Sequence, residues 1–245
     1  MATHQKIANT ERKIKQAFIF LTESKGIDRM TVSDITKYAN INRSTFYSHY
    51  QDKFMMVDHF ENEILTHIKN LMKDNLADTM KYQDVSSGKP QTYPVVDKII
   101  QYIASEFDMI RVLLGPNGDN RLEEKVKGLL TKIIDADLFR LKGEMGMTKQ
   151  IPNNFSHEII VSGLMSVIKV WLSEGNPDSP EEISDIIMKT RYMSPFQLLG
   201  IDDTPEAKEA LREAIDGKTK TIGDGSLGDF DKWIDKLDDE AKMNH

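Results

Sequence analysis

Between Thr31 and Lys53 the sequence TVSDITKYANINRSTFYSHYQDK concentrates side chains suited to holding a nucleic acid. Asn42, Arg43, Ser44 and Thr45 come in succession, followed closely by Tyr47 and His49. Hydroxyls and cations of this kind bind phosphate oxygens, while base edges in the major groove are read by the first residues of a helix. Arg43 could pair with guanine, Asn42 with adenine, and the Thr45 methyl could touch a thymine methyl. Tyr47, His49 and Lys53 are expected chiefly at phosphates. Thr31 and Ser33, at the start of the preceding helix, complete the candidate set.

Two short helices must position these groups. Thr31 is the expected N-cap of the first, with Asp34 three residues on in a capping-box pattern. Val32, Ile35 and Ala39 fall at helical spacing, with Lys37 on the other face. Asn40, Ile41 and Asn42 form the break, two Asn residues suiting turn and cap geometry around an apolar pin. The second helix is expected over residues 43–50, with Phe46 and Tyr50 sharing its inner face. On spacing alone, an ordinary helical hairpin with a solvated polar face fits as well. The order of the residues decides between them.

That order, TVSDIT…YA…NINRSTFYSHYQDK, resembles the DNA-binding domain of the TetR (TetR/AcrR) family of helix-turn-helix transcriptional regulators. The family shows an apolar first helix, a T-x-x-x-I-A-like second helix, and a third reading G/S-T-F/L-Y-x-H-F with a Lys three residues later. Ser44, Thr45, Phe46, Tyr47, His49, Tyr50 and Lys53 occupy those places. Tyr50 stands where Phe is commoner and Ser44 where Gly is commoner. The match is specific over roughly the first sixty residues and extends to Tyr192 in overall organisation. It implies an all-α protein, and the chain is read in three parts, the last of which lies beyond where many family members end. Residues 1–53 form the DNA-binding domain and run into a long connecting helix over about 52–81. Residues 54–193 form a helical effector-binding and dimerisation body, and residues 194–245 an acidic helical extension.

Charge by region agrees. The chain has 32 Lys+Arg and 39 Asp+Glu, a net of −7. Residues 1–53 nevertheless hold nine basic and five acidic side chains, net +4, leaving −11 for the rest. A basic head on an acidic body orients a protein on a polyanion. There is no cysteine, so disulfides and zinc–thiolate sites are ruled out. The first residues lack a secretion-signal pattern, and no run of about 18 apolar residues suggests a membrane helix. A cytoplasmic protein with no membrane partner is the expectation.

Almost all of the chain reads helical. The first helix is expected over residues 10–24, with Ile14, Ala17, Phe18 and Leu21 inward and Gly26 as the stop. Asp52 should cap the fourth, whose stripe runs Val57, Phe60, Ile64, Ile68, Leu71. A loop over 84–94 precedes helical patterns at 95–114, 121–141, 155–173 and 180–192. Ser179-Pro180-Glu181-Glu182 is a strong helix start. In the last two, Ile160, Leu164, Val167 and Trp171 form one stripe and Ile183 and Ile187 another. A monomeric core would account for both; the resemblance implies a four-helix dimer interface there.

Beyond Ser194 the chain carries thirteen acidic and seven basic residues, net −6. Two amphipathic helices are expected there, one lined by Ala207, Leu211 and Ile215, the other by Phe230, Trp233, Ile234 and Leu237. The extension is expected to pack back on the body rather than to dock a partner.

No constellation supports catalysis, metal or cofactor binding. His157-Glu158 is adjacent rather than spaced for a shared metal, and no H-x-x-x-H pair or phosphate-cradling glycine loop occurs. Core packing accounts for most of the thirteen methionines, and Phe107, Met109 and Met165 are the residues named for an effector pocket. The resemblance implies a homodimeric repressor that binds a double-stranded DNA operator and is released by a small-molecule effector moving the fourth helix. The alternative is a regulator controlled by a partner protein docking on the body or on the extension.

Overall fold

The computed structural model describes residues 2–74, 93–142, 147–175, 177–191 and 193–200, and the helices expected beyond Gly200 lie outside that set. Two compact units are distinguished, Met1–Arg191 and Tyr192–His245. Among the described residues there is no strand.

The DNA-binding part is built on α1 (Ala2–Arg29). It begins eight residues before the expected start, because no Gly or Pro interrupts the turns ahead of Thr10. Its helical path breaks at Gly26, where φ 81° and ψ 160° are open to glycine alone. Helix α2 (Val32–Ala39) carries the expected capping box and ends on Asn40 in the left-handed conformation (φ 51°, ψ 55°). Helix α3 (Arg43–Tyr47) is shorter than expected. The amides of His49 and Tyr50 both donate to the Phe46 carbonyl (2.9 Å each), tightening the last turn. Ile14, Phe18, Ile35, Phe46 and Tyr50 form the core between the three helices.

Helix α4 (Lys53–Asp74) joins this part to the body. Asp52 caps it as expected, accepting from the amides of Phe54 and Met55 at 2.8 Å. The body adds α5 (Pro94–Ser105), α6 (Phe107–Leu114), α7 (Asn120–Lys142), α8 (Asn153–Ser173) and α9 (Pro180–Thr190). Helix α9 starts at the expected signal, and the Ser179 hydroxyl and the Glu182 carboxylate there close a capping box. The short α10 (Pro195–Leu198) belongs to the second unit.

The helix expected over 95–114 is two helices, divided at Glu106 (φ −113°, ψ 22°). On one straight helix the buried residues from Val95 to Leu113 would spread over roughly two-thirds of the circumference. The break lets Ile100 and Ile103 face one way and Met109, Ile110 and Leu113 another. Helix α8 contains an 18-residue stretch of mean hydropathy 1.3, enough by length and composition for a bilayer span. Polar residues such as Ser162 and Ser166 keep it from being an unbroken apolar run.

Candidate nucleic-acid interface

The helix-turn-helix presents its candidate side chains in two groups. Asn42 is the N-cap of α3 by backbone geometry (φ −75°, ψ 152°), yet its side chain makes no cap bond. Asn42, Arg43, Ser44 and Tyr47 are exposed, Thr45 half-exposed, and Ser33 exposed on α2. The Tyr47 ring stands out from the helix at 54% exposure, its inner edge against Phe46 (centroids 5.6 Å apart, 85°). No ion pair among the described residues engages Arg43. This group is available to a ligand.

The other group is engaged within the protein. The Thr31 hydroxyl donates to Asp34 Oδ2 (2.6 Å) and accepts from the Asp34 amide (3.2 Å). Asp34 also pairs with Lys25 Nζ at 2.5 Å. Lys25 and Thr31 together hold the Asp34 carboxyl well below the usual carboxylate range. The His49 ring is only 13% exposed, with Nδ1 3.6 Å from Glu11 on α1.

Lys53, expected at a phosphate, belongs with this engaged group. Its ammonium donates to the carbonyls of Ile27 (2.9 Å), Asp28 (2.8 Å) and Met30 (2.8 Å). An ammonium has three N–H groups, and all three meet carbonyls at and just past the C-terminal end of α1.

The stripes named for dimerisation also divide. Trp171, Ile183 and Ile187 are buried in the protein's own body. Trp171 Nε1 donates to the Asp178 carbonyl (2.8 Å), and its ring meets Phe107 edge-on (5.4 Å, 77°). Leu164 and Val167 are half-buried on the flank of α8, and Ile160 is 44% exposed. The outward stripe is Phe155 (59%), Ile159 (67%), Gly163, Ser166 and Val170 (60%). Sequence pattern gave all sides of this helix as apolar and so could not tell the inner stripe from the outer. A Cβ added at Gly163 meets nothing within 4 Å, and Ile186 of α9 is also partly exposed.

Met109 and Met165 are both core residues at 2% exposure, whereas Phe107 borders a cavity of about 950 Å³ between α1, α6, α7 and α8. Glu61 is a functional candidate that the sequence did not suggest. It lies on α4 with its side chain fully buried, pairs with Lys125 of α7 at 2.5 Å, and leaves Oε1 without a hydrogen-bond partner. Burial raises its carboxyl above the ordinary value, and Lys125 opposes the rise. His157 Nε2 lies 2.9 Å from Asp135, and no group of three or more metal-ligating side chains occurs among the described residues.

Residues 21–59 match the family described as bacterial regulatory proteins, tetR family, and residues 90–191 match that described as transcriptional regulator C-terminal region. The HTH-type transcriptional regulator YxbF of Bacillus subtilis (strain 168) is 21% identical over 207 residues, covering 84% of this chain and 50% of its own length. YvdT of the same strain, also an HTH-type transcriptional regulator, is 34% identical over 64 residues, covering 26% of this chain and 33% of its own length. The chain thus spans about half the length, or less, of these curated relatives. A TetR transcriptional regulator from Streptococcus agalactiae 2603V shares the fold with a TM-score of 0.53 and 21% identity, over 78% of this chain and 97% of that one.

Proposed function

This chain belongs to the TetR family of bacterial transcriptional regulators, and from that premise we propose that it is a homodimeric, ligand-responsive repressor of a palindromic operator. One observation carries the reading. At the turn between α2 and α3 the structure leaves Asn42, Arg43, Ser44 and Tyr47 exposed, while neighbouring polar groups are bonded internally. Arg43 and Thr45 set the sequence preference, and Tyr47 holds phosphate. The work is binding rather than catalysis, and its place is the cytoplasm, with the DNA.

The outward stripe of α8, with Ile186 of α9, supports a second copy as the partner. Small residues at its centre, Gly163 and Ser166, let two such helices approach closely, and the large apolar residues at either end then become buried. Two-fold symmetry sets two recognition helices on an inverted repeat whose half-sites lie about 34–36 Å apart or a multiple of it. The cavity beside Phe107 favours control by a small molecule over control by a docked protein.

Selection of bound DNA from a random pool tests the reading. The recovered sites should be inverted repeats. Arg43→Ala should weaken the selected site by roughly 1–3 kcal/mol and relax preference at one position. If Arg43→Ala and Tyr47→Ala both bind as the parent does, α3 is not the reading element.

A further inference from the structure

The cavity between α1, α6, α7 and α8 has a wall unlike the rest of the body. Phe107, Val112 and Leu172 make one side apolar, and Phe107 is fixed from behind by the edge of Trp171. Thr22 of α1 also lines it. That side chain is completely buried, yet Oγ1 has no hydrogen-bond partner. A threonine hydroxyl inside a helix ordinarily returns to a carbonyl one turn back, and an unmade bond in a buried site is costly. Thr22 is therefore an unspent donor and acceptor at the wall.

Charge selects the kind of ligand. Glu23, Asp108, Asp119, Glu123 and Glu174 line the cavity against two cations, Arg111 and Lys169. Both cations are already used: Arg111 bonds Glu23 and approaches Asp108 (3.4 Å), and Lys169 bonds Glu123 (2.8 Å). Asp119 is held by Arg121 at 2.6 Å. Glu123 also lies 3.5 Å from Lys127, so the carboxylates least compensated are Asp108, exposed and sharing Arg111 with Glu23, and Glu174, with no ion pair among the described residues. An anion would meet net negative charge here, and a neutral molecule would leave it uncompensated.

We propose that this cavity binds a small organic cation, an ammonium attached to an aromatic or branched apolar group. The apolar part packs on Phe107 and Leu172, the charge is balanced by Asp108 and Glu174, and Thr22 offers a polar contact. The site spans the join between the two halves of the regulator. Arg111 bonds Glu23 across it, and beside it Asn117 receives the Ile27 amide at 3.1 Å. A ligand there is placed to alter operator affinity, a consequence that rests on the repressor reading, whereas the site itself does not.

The test uses the full chain carrying Trp233→Phe, so that Trp171 is its one tryptophan. Three probes of matched shape are titrated: phenethylamine, 2-phenylethanol and phenylacetate. The amine should give a saturable change in Trp171 fluorescence in the millimolar range typical of so small a probe, with the alcohol about tenfold weaker and the acid weakest. Asp108→Asn with Glu174→Gln should weaken the amine by about tenfold and leave the alcohol unchanged. A melting temperature of the double variant within a few degrees of the parent, together with its unchanged alcohol binding, shows that the loss is not a folding defect. The site is refuted if phenylacetate binds as well as the amine, if the double variant binds the amine unchanged, or if no probe saturates by about 20 mM. Operator affinity measured with and without phenethylamine is a separate arm. Saturable binding with unaltered operator affinity upholds the site and refutes the coupling; failure to bind any DNA refutes the repressor reading alone.

Discussion

Lys53 offers the sharpest separation between a structural and a DNA-contacting role. Its ammonium joins the first turn of α4 to three carbonyls at the end of α1, two of them partly buried and one exposed. Lys53→Met keeps the stem and removes every one of those bonds. Bonds to a charged group are worth about 1.5–3 kcal/mol each where buried, but they are not additive, and the exposed Asp28 carbonyl regains water. The expected net loss is about 2–4 kcal/mol. For a chain of this length that corresponds to a fall in melting temperature of roughly 5–15 °C. Thermal unfolding followed by circular dichroism measures it, and operator binding across a salt series supplies the second readout. A phosphate contact would lower the slope of log affinity against log salt by about one; a cap leaves it unchanged at temperatures where the variant is folded. A Lys53→Met protein that melts with the parent while its salt slope drops by about one would refute the reasoning.

The remaining expectations concern the join, the interface and the buried carboxylate. Gly118→Ala would set a Cβ 2.2 Å from the Leu113 carbonyl oxygen and should cost about 1–3 kcal/mol in denaturant melts, whereas Gly128→Ala meets nothing within 4 Å and should be neutral or stabilising. Ile159→Glu should yield folded monomers by light scattering, and Ile187→Glu, at a residue 2% exposed in the body, should instead unfold the chain. Because burial raises the Glu61 carboxyl, its ionisation favours the unfolded chain, so its contribution to stability falls as pH climbs above the ordinary value of 4.5. Glu61→Gln should therefore gain on the parent as pH is raised from about 4 to 8 in matched urea melts; a constant difference would contradict the assignment.

Features set by neighbouring residues could be read from the sequence, and those set by distant ones could not. The Thr31–Asp34 and Ser179–Glu182 boxes and the Asp52 cap each involve partners within three residues, and each forms as the pattern indicates. Lys53 meets partners more than twenty residues away, so its surface position in the sequence said nothing about where its charge is spent. The break at Glu106 lacks Gly or Pro and arises from a change in which face is buried. The α8 stripe is ambiguous for a related reason. Ile160, Leu164, Val167 and Trp171 do lie along one line of the helix, but the line facing outward is about 100° away, through Phe155, Ile159 and Val170. Apolar spacing identifies a surface that must be covered, not whether the cover is the protein's own chain or another copy.

Helix α4 has a double attachment that limits how a signal can pass. At its start, Lys53 grips the end of α1, and Phe60 lies 5.4 Å from Phe18 of the same helix. On the opposite side, Glu61 and Asp58 hold Lys125 of α7 at 2.5 and 3.4 Å. The turn leading into α7 returns to α1, where Asn117 accepts from the Ile27 amide and donates to the Glu23 carbonyl (3.4 Å). Helices α1, α4 and α7 thus form a closed triangle with a bonded joint at each corner. A packed interior resists continuous deformation, so α7 cannot shift relative to α1 without breaking the Glu61–Lys125 pair or the Asn117 tie. The Asn117 tie is the weaker joint, because separating Glu61 from Lys125 would strand a buried carboxylate, whereas the Asn117 bonds are few and partly exposed. On the repressor reading, an effector that favours a second packing of α6 and α7 has to supply the free energy of that tie, and the Glu61–Lys125 pair then carries the shift of α7 into α4.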